Sequence, residues 1–252
     1  YILNEGLTQQ EKGAHILDVN VGLPEIDEVS MMEEVIKELQ SILDLPLQID
    51  TSNFEAMERA MRIYNGKPMI NSVNGKEESL EAILPIVQKY GGVLVGLCLD
   101  ENGIPETAEG RIKVAEKIRD RAARYGIGRN NLVMDALTLT ISAQQKESAQ
   151  TIQALKYIKD VMGIKTCLGV SNISFGLPRR EIVNSTFFAM ALNNGLDACI
   201  IEVVQHLFRE GVQRYRPYKA ELYSFAAQLV DCVLADAGAG SVGDADVLGR
   251  HP

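Results

Sequence analysis

Carboxylate and amide side chains recur in this sequence near the ends of short apolar, β-branched runs. They are Asp18, Asn20, Asp50, Asn71, Asp135 and Asn172. A carboxylate only accepts hydrogen bonds, whereas an amide donates and accepts, so this set suits a flat heterocycle whose edge carries both kinds of group. A carboxylate can accept two parallel bonds from a ring N–H and its neighbouring amino group, and each such bond is roughly twice as strong as a neutral one. The edge of a pterin ring has these groups, which predicts a binding role for Asp50 and Asp135.

Helix capping is the simpler interpretation of any one of these residues. Asp and Asn often accept hydrogen bonds from the first N–H groups of a helix. The segment Asp50-Thr51-Ser52-Asn53 is rich in such residues. Binding is favoured because the acidic and amide groups repeat at corresponding positions on several strands, and capping does not require Asp or Asn at each of them.

The apolar runs alternate with longer segments of helical periodicity, such as Leu80, Ile83, Leu84 and Val87. The predicted strands are Ile16–Val19, Leu47–Ile49, Met69–Ile70, Val93–Leu99, Leu132–Met134, Thr166–Val170 and Cys199–Ile201. Uninterrupted alternation of strand and helix predicts parallel strands covered by helices. The result is either an open doubly wound sheet or a closed α/β barrel.

The positions of the polar residues favour the barrel. An open sheet places its site at one switch point, whereas a TIM (β/α)8 barrel collects residues from every strand end around one mouth. The pattern predicts seven strands, one fewer than the eight of such a barrel. The sequence opens in a helical pattern, Leu3, Leu7 and Gln10, that ends at Gly13, where a first strand would be expected to precede it. We therefore predict a barrel over residues 1–202 that lacks its first strand. We assign residues 203–252 to a C-terminal helix, at Ala220–Leu234, and a flexible tail of unknown role.

Composition restricts the class of protein. The 252 residues suit one large domain, and a net charge of -9 gives no electrostatic footprint for nucleic acid. His15, His206 and His251 have no ligand spacing with one another or with a cysteine, so we predict no metal site. No stretch has the roughly 18 apolar residues of a membrane helix, and no secretory signal is recognisable, so we expect a cytoplasmic protein. Four cysteines are widely spaced, and the first three are predicted to be reduced core thiols; they are Cys98, Cys167, Cys199 and Cys232.

Five segments together resemble the pterin-binding methyltransferase barrel. That family includes the folate domain of cobalamin-dependent methionine synthase and the methyltetrahydrofolate:corrinoid/iron-sulfur protein methyltransferase. The resemblance covers residues 1 to 202 with the segments in order, which makes it more specific than any single short match. The segments are Asp18-Val19-Asn20-Val21-Gly22, Ile49-Asp50-Thr51-Ser52, Ile70-Asn71-Ser72-Val73-Asn74-Gly75, Met134-Asp135-Ala136-Leu137 and Gly169-Val170-Ser171-Asn172-Ile173-Ser174-Phe175-Gly176-Leu177-Pro178.

The resemblance implies a role for each matching residue. Ring binding falls on Asp50, Asn71 and Asp135, while Asp18 and Asn20 line the same pocket. The family's mobile asparagine, which approaches the pterin N5, falls on Asn172, and Gly169 and Ser171 beside it are expected to bind the substrate. The implied reaction moves the N5 methyl group of 5-methyltetrahydrofolate to the cob(I)alamin of a corrinoid protein or domain. A neutral Asn carbonyl can accept a bond from protonated N5 and so stabilise the form that reacts.

The same resemblance bears on the partners of the protein and on its alternative functions. Nothing in the sequence resembles the His-bearing loop that carries cobalamin, so a partner protein or domain must bring the cobalt. Stand-alone members of the family commonly form homodimers, which makes a homodimer an expectation here. One alternative is a dihydropteroate synthase-like enzyme, although Asp18-Val19-Asn20-Val21-Gly22 matches the methyltransferase form. The missing first strand leaves open a second alternative, a non-catalytic pterin-binding barrel.

Overall fold

The computed structural model of the chain describes residues 1–144 and 147–201. The strands are β1 Leu17–Val19, β2 Leu47–Asp50, β3 Met69–Asn74, β4 Val93–Leu97, β5 Leu132–Asp135, β6 Lys165–Gly169 and β7 Ala198–Ile200. The helices are α1 Ile2–Glu11, α2 Glu28–Ile42, α3 Phe54–Ile63, α4 Glu77–Tyr90, α5 Ala108–Arg124, α6 Glu147–Asp160 and α7 Arg180–Asn193, with short 3₁₀ helices at Arg129–Asn131 and Val170–Ser174. The predicted alternation of strands and helices is therefore confirmed.

All strand pairs of the sheet are parallel and follow chain order from β1 to β7. A doubly wound sheet would reverse this order at its switch point. Without a reversal, right-handed crossovers place every helix on the same face, and the sheet curls into a barrel with the helices outside. The predicted barrel is confirmed. Within the described ranges β1 and β7 are the edge strands, and the absence of a first strand stays a prediction.

The barrel has two apolar layers. Strand residues such as Ile49, Ile70 and Leu94 belong to a large core cluster that also contains buried residues of the helices, including Met32 and Leu80. A smaller cluster fills the interior of the barrel with the alternate strand residues Met69, Val93, Val95, Val133 and Cys167. Successive side chains of a strand point to opposite faces, which separates the layers. The inner cluster forms the floor beneath the carboxyl ends of the strands.

The helix caps lie outside the predicted site. Asp27 caps α2 by accepting from the Ser30 N–H, and Thr107 caps α5 by accepting from the Gly110 N–H at 3.1 Å. Asn53 caps α3 by accepting from the N–H groups of Glu55 at 3.0 Å and Ala56 at 3.2 Å. Asn53, and not Asp50, is therefore the capping residue of the segment for which both interpretations were open.

Several predicted boundaries are wrong by one to four residues. Strand β3 continues to Asn74, so Asn71 lies inside it and not after it; the register shifts between Asn71 and Val73 as in a β-bulge. Strand β4 ends at Leu97 and not at Leu99, β6 and β7 each lie one residue earlier than predicted, and α1 ends at Glu11. Polar residues inside β3 interrupt the apolar run, which is why pattern alone shortened that strand.

Three of the cysteines are free thiols, with Cys98 and Cys167 buried and Cys199 partly buried, as predicted. Cys232 and the predicted helix at 220–234 lie outside the described residues. In the part of the chain that the structure describes, no helix is long and apolar enough to span a membrane.

Replacing the α3 cap tests the distinction between cap and site. Asn53→Ala leaves two helix N–H groups without their acceptor, so we expect the free energy of unfolding in urea to fall by about 1 kcal/mol. Asp50→Ala, three residues earlier, removes no bond to α3 and is the matched control. Equal losses of stability in the two variants would contradict the cap assignment.

Candidate functional site

The strand register brings the predicted polar residues to the mouth of the barrel. Asp50 at the end of β2 pairs with Asn71 of β3, and Asp18 of β1 pairs with Gln48 of β2. Asp135 ends β5 beside Leu97 of β4. Because the strands are parallel, their carboxyl ends share one edge of the sheet, and its curvature turns these side chains towards one another.

Asp18 is linked to its neighbours by side-chain amides. The Gln48 Nε2 donates to Asp18 Oδ1 at 2.5 Å. Solvent reaches Asp18, but protein atoms surround it in the concave mouth, and this burial is the main cause that raises the pKa of Asp18 to about 6. The negative charge of Asp50 raises this pKa further, whereas hydrogen bonds from Gln48 and Asn71 lower it.

Asn20 and Asp50 form a second linked pair. The Asn20 Nδ2 donates to Asp50 Oδ2 at 2.9 Å, and the Asn20 Oδ1 accepts from the Gly22 N–H at 3.0 Å, which fixes the orientation of the amide. Burial raises the pKa of Asp50, the hydrogen bond from Asn20 lowers it, and the charge of Glu28 raises it. Asp50 thus has one neutral donor and no cation in direct contact among the described residues.

Asp135 is the most deeply buried of these carboxylates, with 6% of its surface exposed. Its Oδ1 accepts from the Leu137 N–H at 2.7 Å. Burial raises the pKa of Asp135 to about 6, although backbone hydrogen bonds from Leu137 and Gly169 and the charge of Arg111 lower it. The carboxylate is held in place but remains poorly solvated.

Cys167 of β6 belongs to the apolar cluster inside the barrel. Burial, together with the negative charges of Asp135 and Asp18, raises the pKa of its thiol. A poorly solvated carboxylate gains more from an incoming N–H donor than one that is already hydrated. The mouth is therefore a set of acceptors suited to a ligand with several N–H donors.

Asn172 lies beside the end of β6, in the 3₁₀ helix Val170–Ser174, and its side chain is exposed. A Cβ atom at Gly169 would lie 3.0 Å from the Asn172 Nδ2, closer than most real Cβ contacts. Glycine at position 169 therefore leaves the space that the Asn172 amide occupies. Ser171 has a buried Oγ without a hydrogen-bond partner among the described residues.

The segment around Asn172 is held from two sides. The Arg180 Nε donates to Ser174 Oγ at 3.0 Å, its Nη2 donates to the Ser171 carbonyl at 3.1 Å, and its guanidinium lies 4.8 Å from the centre of the Phe175 ring. From the other side, the loop after β5 donates to the same segment. These donors are Thr140 Oγ1 and Ser142 Oγ to the Phe175 carbonyl, at 2.9 Å and 3.1 Å, and the Ile141 N–H to the Ile173 carbonyl, at 3.0 Å.

Sequence reasoning missed Gln48, which is 4% exposed and faces the barrel interior beside Asp18. A polar residue between Leu47 and Ile49 in a short apolar run was the available signal, since strand alternation places it opposite its neighbours. It also missed Arg111 and Arg180, which lie on helices and gave no signal at a strand end. Within the described ranges, no group of three or more His, Cys, Asp or Glu side chains is arranged to hold a metal ion.

The fold and this site define a class of protein. Residues 1–202 match the family of pterin binding enzymes, and the chain belongs to that family. The methionine synthase of Mycobacterium tuberculosis is 32% identical over 206 residues, which cover 77% of this chain and 17% of that protein. The methylcorrinoid:tetrahydrofolate methyltransferase of Eubacterium limosum is 25% identical over 206 residues, which cover 80% of this chain and 76% of that protein. The chain thus spans about a sixth of the methionine synthase that it matches.

Solved structures show the same fold. The dihydropteroate synthase of Xanthomonas albilineans with 4-aminobenzoic acid superposes with a TM-score of 0.69 at 18% identity, over 86% of this chain and 84% of that one. The Yersinia pestis dihydropteroate synthase with a pterine-sulfa conjugate gives a TM-score of 0.65 at 15% identity, over 86% and 88% of the two chains. At these identities the likeness concerns the barrel alone.

The raised pKa of Asp135 gives a testable dependence of stability on pH. The folded protein binds a proton at Asp135 below about pH 6, whereas the unfolded chain does so only near its ordinary value of 3.8. The protonated form therefore stabilises the fold at low pH, and this contribution is lost as the pH rises through 6. We expect the free energy of unfolding of Asp135→Asn to exceed that of the unmodified protein by about 3 kcal/mol at pH 8, seen as a higher unfolding temperature, with little difference at pH 4.

Glu33→Gln is the matched control, because its effect on stability should depend on pH in the opposite direction. Hydrogen bonds from Lys37 and Arg59 lower the pKa of Glu33 to about 2, so its stabilising effect is present at neutral pH and is lost in acid. A thermal difference for Asp135→Asn that is independent of pH would contradict the raised pKa.

Proposed function

We propose that this chain moves the N5 methyl group of 5-methyltetrahydrofolate to the cob(I)alamin of a corrinoid protein or domain. The observation that carries the proposal is that the strand register collects Asp18, Asp50 and Asp135 at one barrel mouth, with Asn172 beside the end of the neighbouring strand β6. The names of the relatives from Mycobacterium tuberculosis and Eubacterium limosum support it. The latter is named for the opposite direction, in which the same groups would act in reverse order.

In this proposal Asp50, Asn71 and Asp135 hold the pterin ring, and Asp18 and Asn20 line the pocket. A ring N–H and its neighbouring amino group donate to a carboxylate and replace the water that burial has removed. The Asn71 amide N–H groups donate to the acceptors of the ring. Affinity then depends on the ionised form of Asp135, so binding should weaken as the pH falls below about 6.

Asn172 acts at N5. The methyl group is attached to a tertiary amine, which is a poor leaving group until N5 is protonated or polarised. The Asn172 carbonyl accepts a bond from protonated N5 and stabilises the reactive form, while the proton comes from solvent. A reduced corrinoid, brought by a partner protein or domain, supplies the nucleophile that accepts the methyl group. The exposed position of Asn172 fits a residue that must meet both substrates.

Methyl transfer to free cob(I)alamin under anaerobic, reducing conditions tests the proposal. Loss of the cob(I)alamin absorbance reports the reaction, and calorimetry gives the affinity for 5-methyltetrahydrofolate separately. Binding without turnover by folded protein would favour a non-catalytic pterin-binding barrel. Condensation of a pterin pyrophosphate with p-aminobenzoate would instead favour a dihydropteroate synthase-like enzyme.

Two substitutions should separate binding from chemistry. We expect Asn172→Ala to lower the rate of methyl transfer about 100-fold with little loss of pterin affinity, because its bond forms mainly in the transition state. Asp135→Ala should weaken binding about tenfold or more, because a charge-assisted bond is lost. Asn65→Ala, in the loop between α3 and β3 at the opposite end of the barrel, is the control. Equal effects of Asn172→Ala and Asp135→Ala on rate and affinity would contradict these separate roles.

The space beside Asn172 can be tested without removing the amide. In Gly169→Ala the new methyl group meets the Asn172 Nδ2, so we expect a rate about tenfold lower with pterin affinity nearly unchanged. Gly169 has a φ of -73°, so backbone strain does not confuse the result. Gly128→Ala is the matched control, because its φ is -78° and a Cβ there meets nothing within 4 Å. Unchanged methyl transfer in Gly169→Ala would show that the position of the Asn172 amide does not matter.

A further inference from the structure

Arg111 lies in the first turn of α5 and is completely buried. An arginine keeps its charge in proteins, although burial lowers the pKa of Arg111. A buried guanidinium is costly unless hydrogen bonds replace its water. The partners of Arg111 therefore indicate what the charge does in this fold.

Those partners tie three segments together. The Arg111 Nε donates to the Pro105 carbonyl at 2.9 Å. Its Nη1 donates to the carbonyl oxygens of Ala136 and Leu137, both at 2.8 Å, and to Thr151 Oγ1 at 2.6 Å. Arg111 thus connects the loop before α5, the loop that follows Asp135, and helix α6.

The bond to Ala136 determines where the next N–H points. The Ala136 carbonyl and the Leu137 N–H belong to the same peptide plane, and in a trans peptide they point in opposite directions. Arg111 binds the carbonyl on one side of the plane, and Asp135 Oδ1 accepts the Leu137 N–H at 2.7 Å on the other. The peptide dipole therefore lies aligned between a cation and a carboxylate.

The same bonds offset backbone strain. Leu137 has a φ of 64°, in the left-handed region that costs a non-glycine residue about 1–3 kcal/mol. The Leu137 carbonyl accepts from both Arg111 Nη1 and Thr151 Oγ1, at 2.8 Å and 3.0 Å. These bonds hold the conformation in which the Leu137 N–H reaches Asp135.

We propose that Arg111 is a positioning residue: by fixing the Ala136–Leu137 peptide plane, it keeps the Leu137 N–H on Asp135 and sets the orientation in which that carboxylate meets the pterin. The consequence for pterin affinity rests on the proposed function. The positioning itself is a property of the free protein and can be measured without ligand.

Among the ionisable groups of the described residues that act on Asp135, the cation is Arg111. Helix α5 contributes Arg111, whose charge lowers the pKa of Asp135. Cys98, after β4, and Cys167, in β6, face the carboxylate as thiols whose pKa values burial raises, so they stay neutral. From α6, Glu147 acts on Arg111. Loss of Arg111 should therefore raise the pKa of Asp135 above its present value of about 6.

Amide NMR of the ligand-free protein tests the proposal. The Leu137 amide proton should shift with the ionisation of Asp135, and Asp135→Asn should abolish this response. In Arg111→Met we expect the response of Leu137 to be lost, and the midpoint, followed on the Asp135 carboxyl carbon, to move to higher pH. Arg111→Lys keeps the charge but has one donor atom, so the midpoint should move less while the Leu137 response still falls. Arg124→Met, on the exposed last turn of α5, is the control.

Folding of the variants does not limit the test. If Arg111→Met is unfolded, Thr151→Val removes a hydroxyl that contacts both Arg111 and Leu137, and Thr151→Ser restores it. A Leu137 response unchanged in folded Arg111→Met, or in Arg111→Lys, would overturn the proposal.

Titration with 5-methyltetrahydrofolate then separates the two proposals. We expect Arg111→Met to weaken binding about tenfold with the rate at saturation nearly unchanged. If the unmodified protein binds no pterin, the proposed function is refuted. Loss of the Leu137 response in Arg111→Met would still support the positioning role of Arg111 in that case.

Discussion

The limited hydration of the mouth carboxylates is the constraint on which the rest of the site depends. A parallel sheet in chain order brings every strand end to one edge, and its curvature encloses the acidic side chains of β1, β2 and β5. Burial is the largest cause of the raised pKa at Asp18, Asp50 and Asp135. The architecture that collects the acceptors thus also limits their hydration, most strongly at Asp135, and N–H donors of a ligand can replace the lost water.

Neutral donors rather than ion pairs hold these acids in place. Gln48 and Asn20 donate to Asp18 and Asp50, and a backbone N–H donates to Asp135. A directly paired lysine or arginine would stabilise the charge more strongly and would occupy the oxygen atoms that a ligand must reach. Amide donors fix the side chains but leave lone pairs free. The fold therefore sacrifices some stability at neutral pH to keep the acceptors available.

Sequence pattern predicted the barrel and most of its polar mouth, because strand alternation and acidic strand ends are local features. It could not place Asn71 within β3, since the bulge between Asn71 and Val73 arises from pairing with β4. Nor could it decide between cap and site for Asp50, because Asp50 and Asn53 carry equivalent side-chain acceptors three residues apart. Arg111 acts on Asp135 across 24 positions of sequence through a peptide plane, a relation that only packing creates.

Hydrogen bonds connect the loop after β5 to the segment around Asn172. Thr140, Ser142 and the Ile141 N–H all donate to carbonyl groups of that segment. We therefore expect substitutions in the two loops to be energetically coupled, so that their effects on stability do not add. For protein engineering, the loop after β5 and the segment that bears Asn172 should be varied together, because a substitution in one loop is expected to change the hydrogen bonds that orient the other.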